Sequence, residues 1–192
     1  MTDLPLGSEL ETDRLLLVPC KNEHLSGLFA INSDPEVMRY LSGRPETLAL
    51  TQSMIDRVRE RWTKCGYSWW TFIERQSGEI VGAGCIQNLR RGGDEPEADC
   101  PLEIGWRVRR DKWAQGIATE AARAMADFAF FRLRANVLYA VCDPENRASV
   151  SVMVKLGMRY RGLEDWYTRK LTTYEVTAEA WRNGRPGSNP DI

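Results

Sequence analysis

A chain of 192 residues with 43% hydrophobic and 28% charged side chains can bury the core of one globular domain, which excludes a disordered segment. Its 26 basic and 27 acidic side chains nearly cancel, so neither nucleic acid nor an anionic membrane surface is expected as a partner. No run reaches the roughly 20 apolar residues of a membrane span, and Met1 to Leu10 carry no basic stretch that would mark a secretory signal.

The five cysteines, Cys20, Cys65, Cys85, Cys100 and Cys142, are odd in number and widely spaced. That pattern gives neither a disulfide framework nor a zinc site, and free thiols in a reducing cytoplasm are expected. His24 is the only histidine, expected on a surface helix. A His-dependent triad or multi-His metal site has little material, so no metal is expected.

In chain order, residues 1–10 are expected to be flexible. Thr12 to Pro19 predict a strand. Asn22 is positioned to cap a helix through Leu25, Leu28 and Phe29, and Asp34-Pro35 opens a second short helix. Thr47 to Cys65 predict a longer helix, with Thr51, Ile55, Val58 and Trp62 at helical spacing and Gly66 as its stop. Tyr67 to Glu74 and Ile80 to Leu89 predict strands around the turn Gln76-Ser77-Gly78-Glu79. Arg90 to Asp99 form a polar loop with acidic residues from Asp94 to Asp99.

Leu102 to Val108 alternate as a strand. A helix is predicted from Gly116 to Leu133, with Ala118, Ala121, Ala122, Met125, Phe128 and Ala129 as its apolar stripe. Val137 to Cys142 predict a strand, Asn146 to Leu156 a helix stopped by Gly157, and Met158 to Glu164 and Lys170 to Thr177 two final strands. Residues 183–192 are expected to fray. The pattern gives an α/β fold of mixed (α+β) type: one sheet with helices on both faces, in a single domain over 11–182.

One junction stands out. Trp113-Ala114-Gln115-Gly116 lead into the helix at Ile117, and none of these four is a Ser, Thr, Asp or Asn cap. Such a start leaves backbone N–H groups for water or for a phosphate or pyrophosphate. The alternative is an ordinary helix start after a small-residue turn. Other glycine motifs fail: Val81-Gly82-Ala83-Gly84 lies within a strand with Gln87 where a dinucleotide fingerprint needs glycine, and no P-loop pattern occurs.

Three stretches in order resemble the GNAT superfamily of N-acetyltransferases, over roughly Glu11 to Trp181. They are Leu102-Glu103-Ile104-Gly105-Trp106 with Trp113-Ala114-Gln115-Gly116-Ile117-Ala118-Thr119-Glu120-Ala121; Asn146-Arg147-Ala148-Ser149 with Lys155-Leu156-Gly157-Met158; and Thr177-Ala178-Glu179-Ala180-Trp181. The nearest branch by these motifs is that of the ribosomal-protein N-terminal acetyltransferases. Trp113 departs from the superfamily's usual Arg or Gln at its position, which puts more weight on backbone donors.

The resemblance implies a GNAT fold whose central sheet is splayed between its parallel strands, with acetyl-CoA as cosubstrate. It also implies a primary amine as acceptor, either a protein N-terminus or a small molecule. Another acyl-CoA donor, or a non-catalytic CoA-binding module, are the alternatives. A monomer or homodimer without nucleic-acid or membrane partners is expected. The cofactor residues so implied are Trp106 and Val108 for the pantetheine arm, Trp113, Ala114, Gln115, Gly116, Ile117, Ala118 and Thr119 for the pyrophosphate, and Asn146. Asn146 either holds the pantetheine arm or only caps its helix. Gly105 fits either a bulge or close packing.

Transfer to an amine needs a base, an oxyanion donor and a group at the departing thiolate. Glu103 is the candidate base, or else a strand-face carboxylate paired with an arginine such as Arg107. A backbone N–H near Trp106 is the simplest oxyanion donor. Ser149 is the thiol-side candidate, or else a helix-capping residue, since Met153 stands where many superfamily members have Tyr. Trp69, Trp70, Trp166 and Tyr167 are candidates either for the acceptor cleft or for the core.

Overall fold

The structure is a computed structural model and describes residues 8–92 and 96–184. Eight strands form one mixed sheet with the hydrogen-bonded order β1-β2-β3-β4-β5-β6-β8-β7. These are β1 Leu10–Glu11, β2 Leu15–Pro19, β3 Trp69–Glu74, β4 Ile80–Asn88, β5 Leu102–Val108, β6 Val137–Cys142, β7 Arg159–Trp166 and β8 Arg169–Thr177. The residues gather into two compact units, one from the chain up to Gln87 with Gly105–Met125, the other from Asn88–Ile104 with the chain from Ala126 onward.

In the first unit, β1, β2 and β3 pair antiparallel, with Leu10 opposite Leu17 and Leu17 opposite Phe72. The strand expected from Thr12 starts later, because Thr12 closes a turn: its hydroxyl accepts from the Leu15 N–H at 2.9 Å. The chain is in the sheet already at Leu10, and the indole of buried Trp70 donates to the Ser8 carbonyl at 2.7 Å. Helix α1 spans Leu25–Asn32, α2 Pro35–Met38 and α3 Leu48–Cys65. Asp34 caps α2, Thr47 caps α3, and Gly66 ends α3 at a φ of 74°, where a Cβ would be strained.

Asn22 does not cap α1. Residues Asn22–His24 make a short 3₁₀ turn, and the Asn22 side chain instead accepts from Gln52 at 3.3 Å and Arg59 at 3.2 Å. His24 is buried rather than on the surface, at 5% exposure. Its Nδ1 accepts from the Lys21 N–H at 3.2 Å and lies 2.9 Å from the Thr71 hydroxyl. Burial holds its pKa below the ordinary value.

Helices cover both faces of this unit's strands. Leu28, Met54, Ile55 and Val58 pack with Cys20 and Ala83 on one side. On the other lies α4, Ile117–Asp127, whose Met125 reaches the space above Gly84 beside Phe72. Ala121, Ala122 and Met125 are fully buried, as the small-residue stripe predicts. The helix expected to run to Leu133 widens after Asp127 into a π-turn, Phe128–Arg132. Phe128, Ala129 and Phe130 are all buried, and the wider turn points three consecutive side chains inward.

In the second unit, β5 and β6 pair in parallel with Glu103 opposite Tyr139, and β8 lies antiparallel between β6 and β7. Helix α5, Arg147–Lys155, is followed by Gly157 at a φ of 72°. Helix α6, Ala178–Asn183, is capped by Thr177 and packs Trp181 against Phe130. The expected frayed tail is thus helical at its first residue, Asn183, and from residue 185 lies outside the described residues. The polar loop forms a 3₁₀ turn at Glu97–Asp99, held by the Asn88 side chain donating to the Glu97 and Cys100 carbonyls; Asp94 and Glu95 lie outside the described residues. Among the described residues no helix is long and apolar enough to cross a membrane.

Candidate active site

The candidate residues fall into two sets, one in each unit. In the first unit, β5 runs out at Val108 into a short 3₁₀ turn, Arg110–Lys112, and then the exposed turn at 113–116. Ala114 (φ 59°) and Gly116 (φ 81°) are both left-handed. Alternation of left- and right-handed residues turns successive N–H groups to one side, a concavity suited to an anion. The first hydrogen bond along α4 is Glu120 N–H to the Gly116 carbonyl at 3.0 Å. The amides ahead of it belong to Ile117, Ala118 and Thr119, the unsatisfied donors of a helix start. The Ile117 side chain is buried, so only its backbone can serve a ligand.

Side chains both local and distant in sequence lock this turn. The Trp113 indole donates to the Val108 carbonyl at 2.7 Å, and the Gln115 amide donates to the Asp111 carbonyl at 2.8 Å. Arg14 donates to the Gln115 carbonyl at 2.9 Å and grips the Glu120 carboxylate with Nε at 2.6 Å. Glu120 also accepts from the Thr12 hydroxyl at 2.6 Å. Burial raises the pKa of Glu120, but the Thr12 and Arg14 hydrogen bonds outweigh it and hold the carboxyl below its ordinary value. Sequence reading missed this clasp. Glu120 lies within the 113–121 stretch, but its partners lie more than 100 residues away.

Gly105 is explained by space: a Cβ there would stand 3.2 Å from the Cys85 sulfur. Its neighbours on β4 are tighter still, with a Cβ on Gly84 falling 2.8 Å from the Gly105 carbonyl and one on Gly82 2.7 Å from the Arg107 carbonyl. Trp106 is half-buried. Arg107 is buried and stacks over the Trp69 ring, with 4.7 Å from guanidinium carbon to ring centroid.

In the second unit, Glu103 is buried, and its Oε2 accepts a hydrogen bond from the Tyr167 hydroxyl. Tyr167 and Thr168 form the two-residue turn between β7 and β8, with φ of 51° and 61°. Such turns ordinarily take Asn-Gly. Here two bulky residues accept the strain, and the Arg90 and Arg91 carbonyls hold their N–H groups at 2.9 and 3.1 Å. Sequence reading put Tyr167 among possible cleft residues but gave Glu103 no tyrosine partner, because no turn residue announces this hairpin.

Trp166, next to Tyr167, is buried with Leu89 and Leu171, and Tyr139 packs on that cluster. Trp70, in the first unit, is also fully buried, so these two tryptophans are core, while Trp69 and Tyr167 are half-buried. A cavity of about 450 Å³ in the second unit is walled by Tyr139, Trp166, Arg91, Arg161, Asp99 and Glu164, among others.

Asn146 caps α5 by accepting from the Ser149 N–H at 3.1 Å. Ser149 is half-buried, and its hydroxyl has no hydrogen-bond partner among the described residues. Its backbone amide serves the cap while its side chain does not, so the helix-capping role belongs to Asn146. No group of three or more His, Cys, Asp and Glu is gathered as a metal site among the described residues.

The chain belongs to the GNAT acetyltransferases: the model of the acetyltransferase (GNAT) domain matches residues 14–159. It is 28% identical to the uncharacterized N-acetyltransferase p20 of Bacillus licheniformis, over 80% of this chain and 84% of that one. It is 29% identical to the FsC-acetyl coenzyme A-N(2)-transacetylase of Aspergillus fumigatus, over 90% of this chain and 77% of that one. The fold matches the crystal structure of an acetyltransferase from Agrobacterium tumefaciens with a TM-score of 0.74 and 25% identity, covering 88% of this chain and 93% of that one. The protein is therefore a GNAT-type acetyltransferase.

Proposed function

We propose that the protein transfers the acetyl group of acetyl-CoA to a primary amine by direct attack, within a catalytic domain spanning 11–182. The observation that carries this reading is the start of α4, where an uncapped helix with left-handed Ala114 and Gly116 offers backbone N–H groups to a pyrophosphate. The name of the Aspergillus relative, which joins acetyl coenzyme A to a nitrogen position, supports the donor and the acceptor type.

Each residue then has a role. The amides from Gln115 to Thr119 hold the pyrophosphate, with Trp113 and Ala114 shaping the turn. Backbone groups of Trp106 and Val108, and the side-chain amide of Asn146, hold the pantetheine arm; the Val108 carbonyl already serves the Trp113 indole, so its N–H is the group assigned to the arm. The Trp106 N–H steadies the oxyanion. Glu103 takes the amine proton, directly or through water, while Tyr167 fixes its carboxylate. Nitrogen bonds to the acetyl carbon, the C–S bond breaks, and Ser149 hydrogen-bonds the departing thiolate. The five free cysteines fit a cytoplasmic setting.

The test is thiol release from acetyl-CoA with a panel of peptides, amino acids and polyamines. Release that requires an amine is expected. CoA binding without amine-dependent release would overturn the reading in favour of a non-catalytic module. Release only from a larger acyl-CoA would overturn the donor.

A further inference from the structure

Arg107 is a buried cation without a hydrogen bond. Its side chain rises from the second half of β5 within the first unit and is 9% exposed. Its Nε and Nη2 are both buried and have no partner. Buried charges are almost always paired, because taking an ion out of water unpaired costs several kcal/mol.

The surroundings define what is missing. One flat face of the guanidinium lies on Trp69, and that ring is itself fixed, its indole donating to Gln87 at 3.1 Å. The groups whose charge bears on Arg107 are Glu46, Cys20 and Cys85. Burial pushes the Cys20 thiol up to about 11, so it is neutral near pH 7. The Glu46 carboxylate is engaged elsewhere, accepting from Asn32 at 3.0 Å and Thr51 at 3.4 Å. What stays unpaired is the buried Nε–Nη2 edge, two parallel N–H donors in one plane. That edge matches a carboxylate held side-on by two hydrogen bonds. A doubly charged phosphate fits less well, since one guanidinium would face it with Glu46 in the same field.

We propose that Arg107 is a specificity residue that receives the carboxylate of the acceptor, so that the favoured acceptors are amines bearing a carboxylate, of the amino-acid type. This rests on the acetyltransferase reading above. It also accounts for the lone cation: the free protein carries an unpaired charge that the substrate neutralises.

The test pairs α-, β- and ω-amino acids with their amides. Thiol release is measured at saturating acetyl-CoA, and the same compounds are titrated by calorimetry with CoA present. Free acids are expected to bind and react at least about tenfold better than their amides, within the range for hydrogen bonds to a charged group. Arg107→Met should bring acids down to the level of amides, mainly through KM, and Arg107→Lys should restore only part. Arg107→Met should melt no lower than wild type, because it removes an unpaired buried charge. Should it fail to fold, Arg107→Lys makes the same acid–amide comparison. Equal binding of acids and amides to wild type overturns the proposal, as does an equal loss on both in a folded variant. Arg107-dependent acid binding without turnover of any amine would sustain the anion site and overturn the transferase reading. Turnover of amines without an acid preference would do the reverse.

Discussion

The two units hold their candidate sites in opposite ways. In the first, the groups proposed to face the ligand are backbone amides at the start of α4, and side chains such as Arg14 and Glu120 brace the turn that carries them. In the second, the proposed groups are side chains, Glu103 and Ser149; the Tyr167 hydroxyl, set in a strained turn, holds the first, and the second stands on a helix that the Asn146 side chain caps. A backbone cradle suits a large anion that must be held in register while its thioester reacts. A placed side chain suits a proton that must move. The difference predicts a division of labour, with changes in the first unit acting on CoA affinity and changes in the second on kcat.

The largest expected effect is at Glu103. Glu103→Gln keeps shape and removes basicity, so kcat/KM at neutral pH should fall by about 100- to 10,000-fold. Activity should partly return as pH rises and more free amine becomes available. Tyr167→Phe should lower kcat less, and shift the acid limb of the pH–rate profile, since it frees the carboxylate without removing it. His24 offers no rival base. It is buried, and its Nδ1 is already occupied by the Lys21 N–H and the Thr71 hydroxyl. A profile for His24→Ala that loses the basic limb, with Glu103→Gln unchanged, would transfer the role.

Next comes Ser149. Ser149→Ala should lower kcat by about 10- to 1000-fold with little change in acetyl-CoA affinity. Because the α5 cap uses the Ser149 amide and not its hydroxyl, the melting temperature should hold. Wild-type kcat would reduce Ser149 to a helix residue.

The contrast between the units also explains what could be read from sequence. The backbone cradle leaves local traces: small residues, a missing cap, alternating strand residues ahead of it. Hence β5 and β6 were legible to the residue, and the 113–119 turn stood out. The bracing pairs leave none. Tyr167 meets Glu103 across 64 residues, and Arg14 meets Glu120 across 106. Tyr-Thr in a left-handed turn contradicts the usual residue signal, so neither the hairpin tip nor its contact was visible. The same holds for His24 and Arg107. Their types suit a surface, and only the packing of α1, α3 and the sheet around them buries them.

A smaller effect is expected at the brace itself. Glu120→Gln should cost about 1 kcal/mol at neutral pH, discounted because Arg14 is half exposed to solvent. The folded pKa of Glu120 lies below its ordinary value of 4.5. Its contribution is therefore complete above pH 4.5 and lost as pH falls through the folded value. Thermal melts of wild type and variant should converge below that range. A constant gap down to pH 2 would show that the carboxylate charge is not what the clasp uses.

The division of labour is tested most directly by the CoA dissociation constant of two variants, measured by calorimetry on folded protein. Gly116→Asp puts a carboxylate and a side chain at the cradle, where φ is 81°, and should weaken CoA binding by about tenfold or more. Glu103→Gln should bind CoA as wild type does. Unchanged affinity in Gly116→Asp, or a comparable loss in Glu103→Gln, would contradict the account.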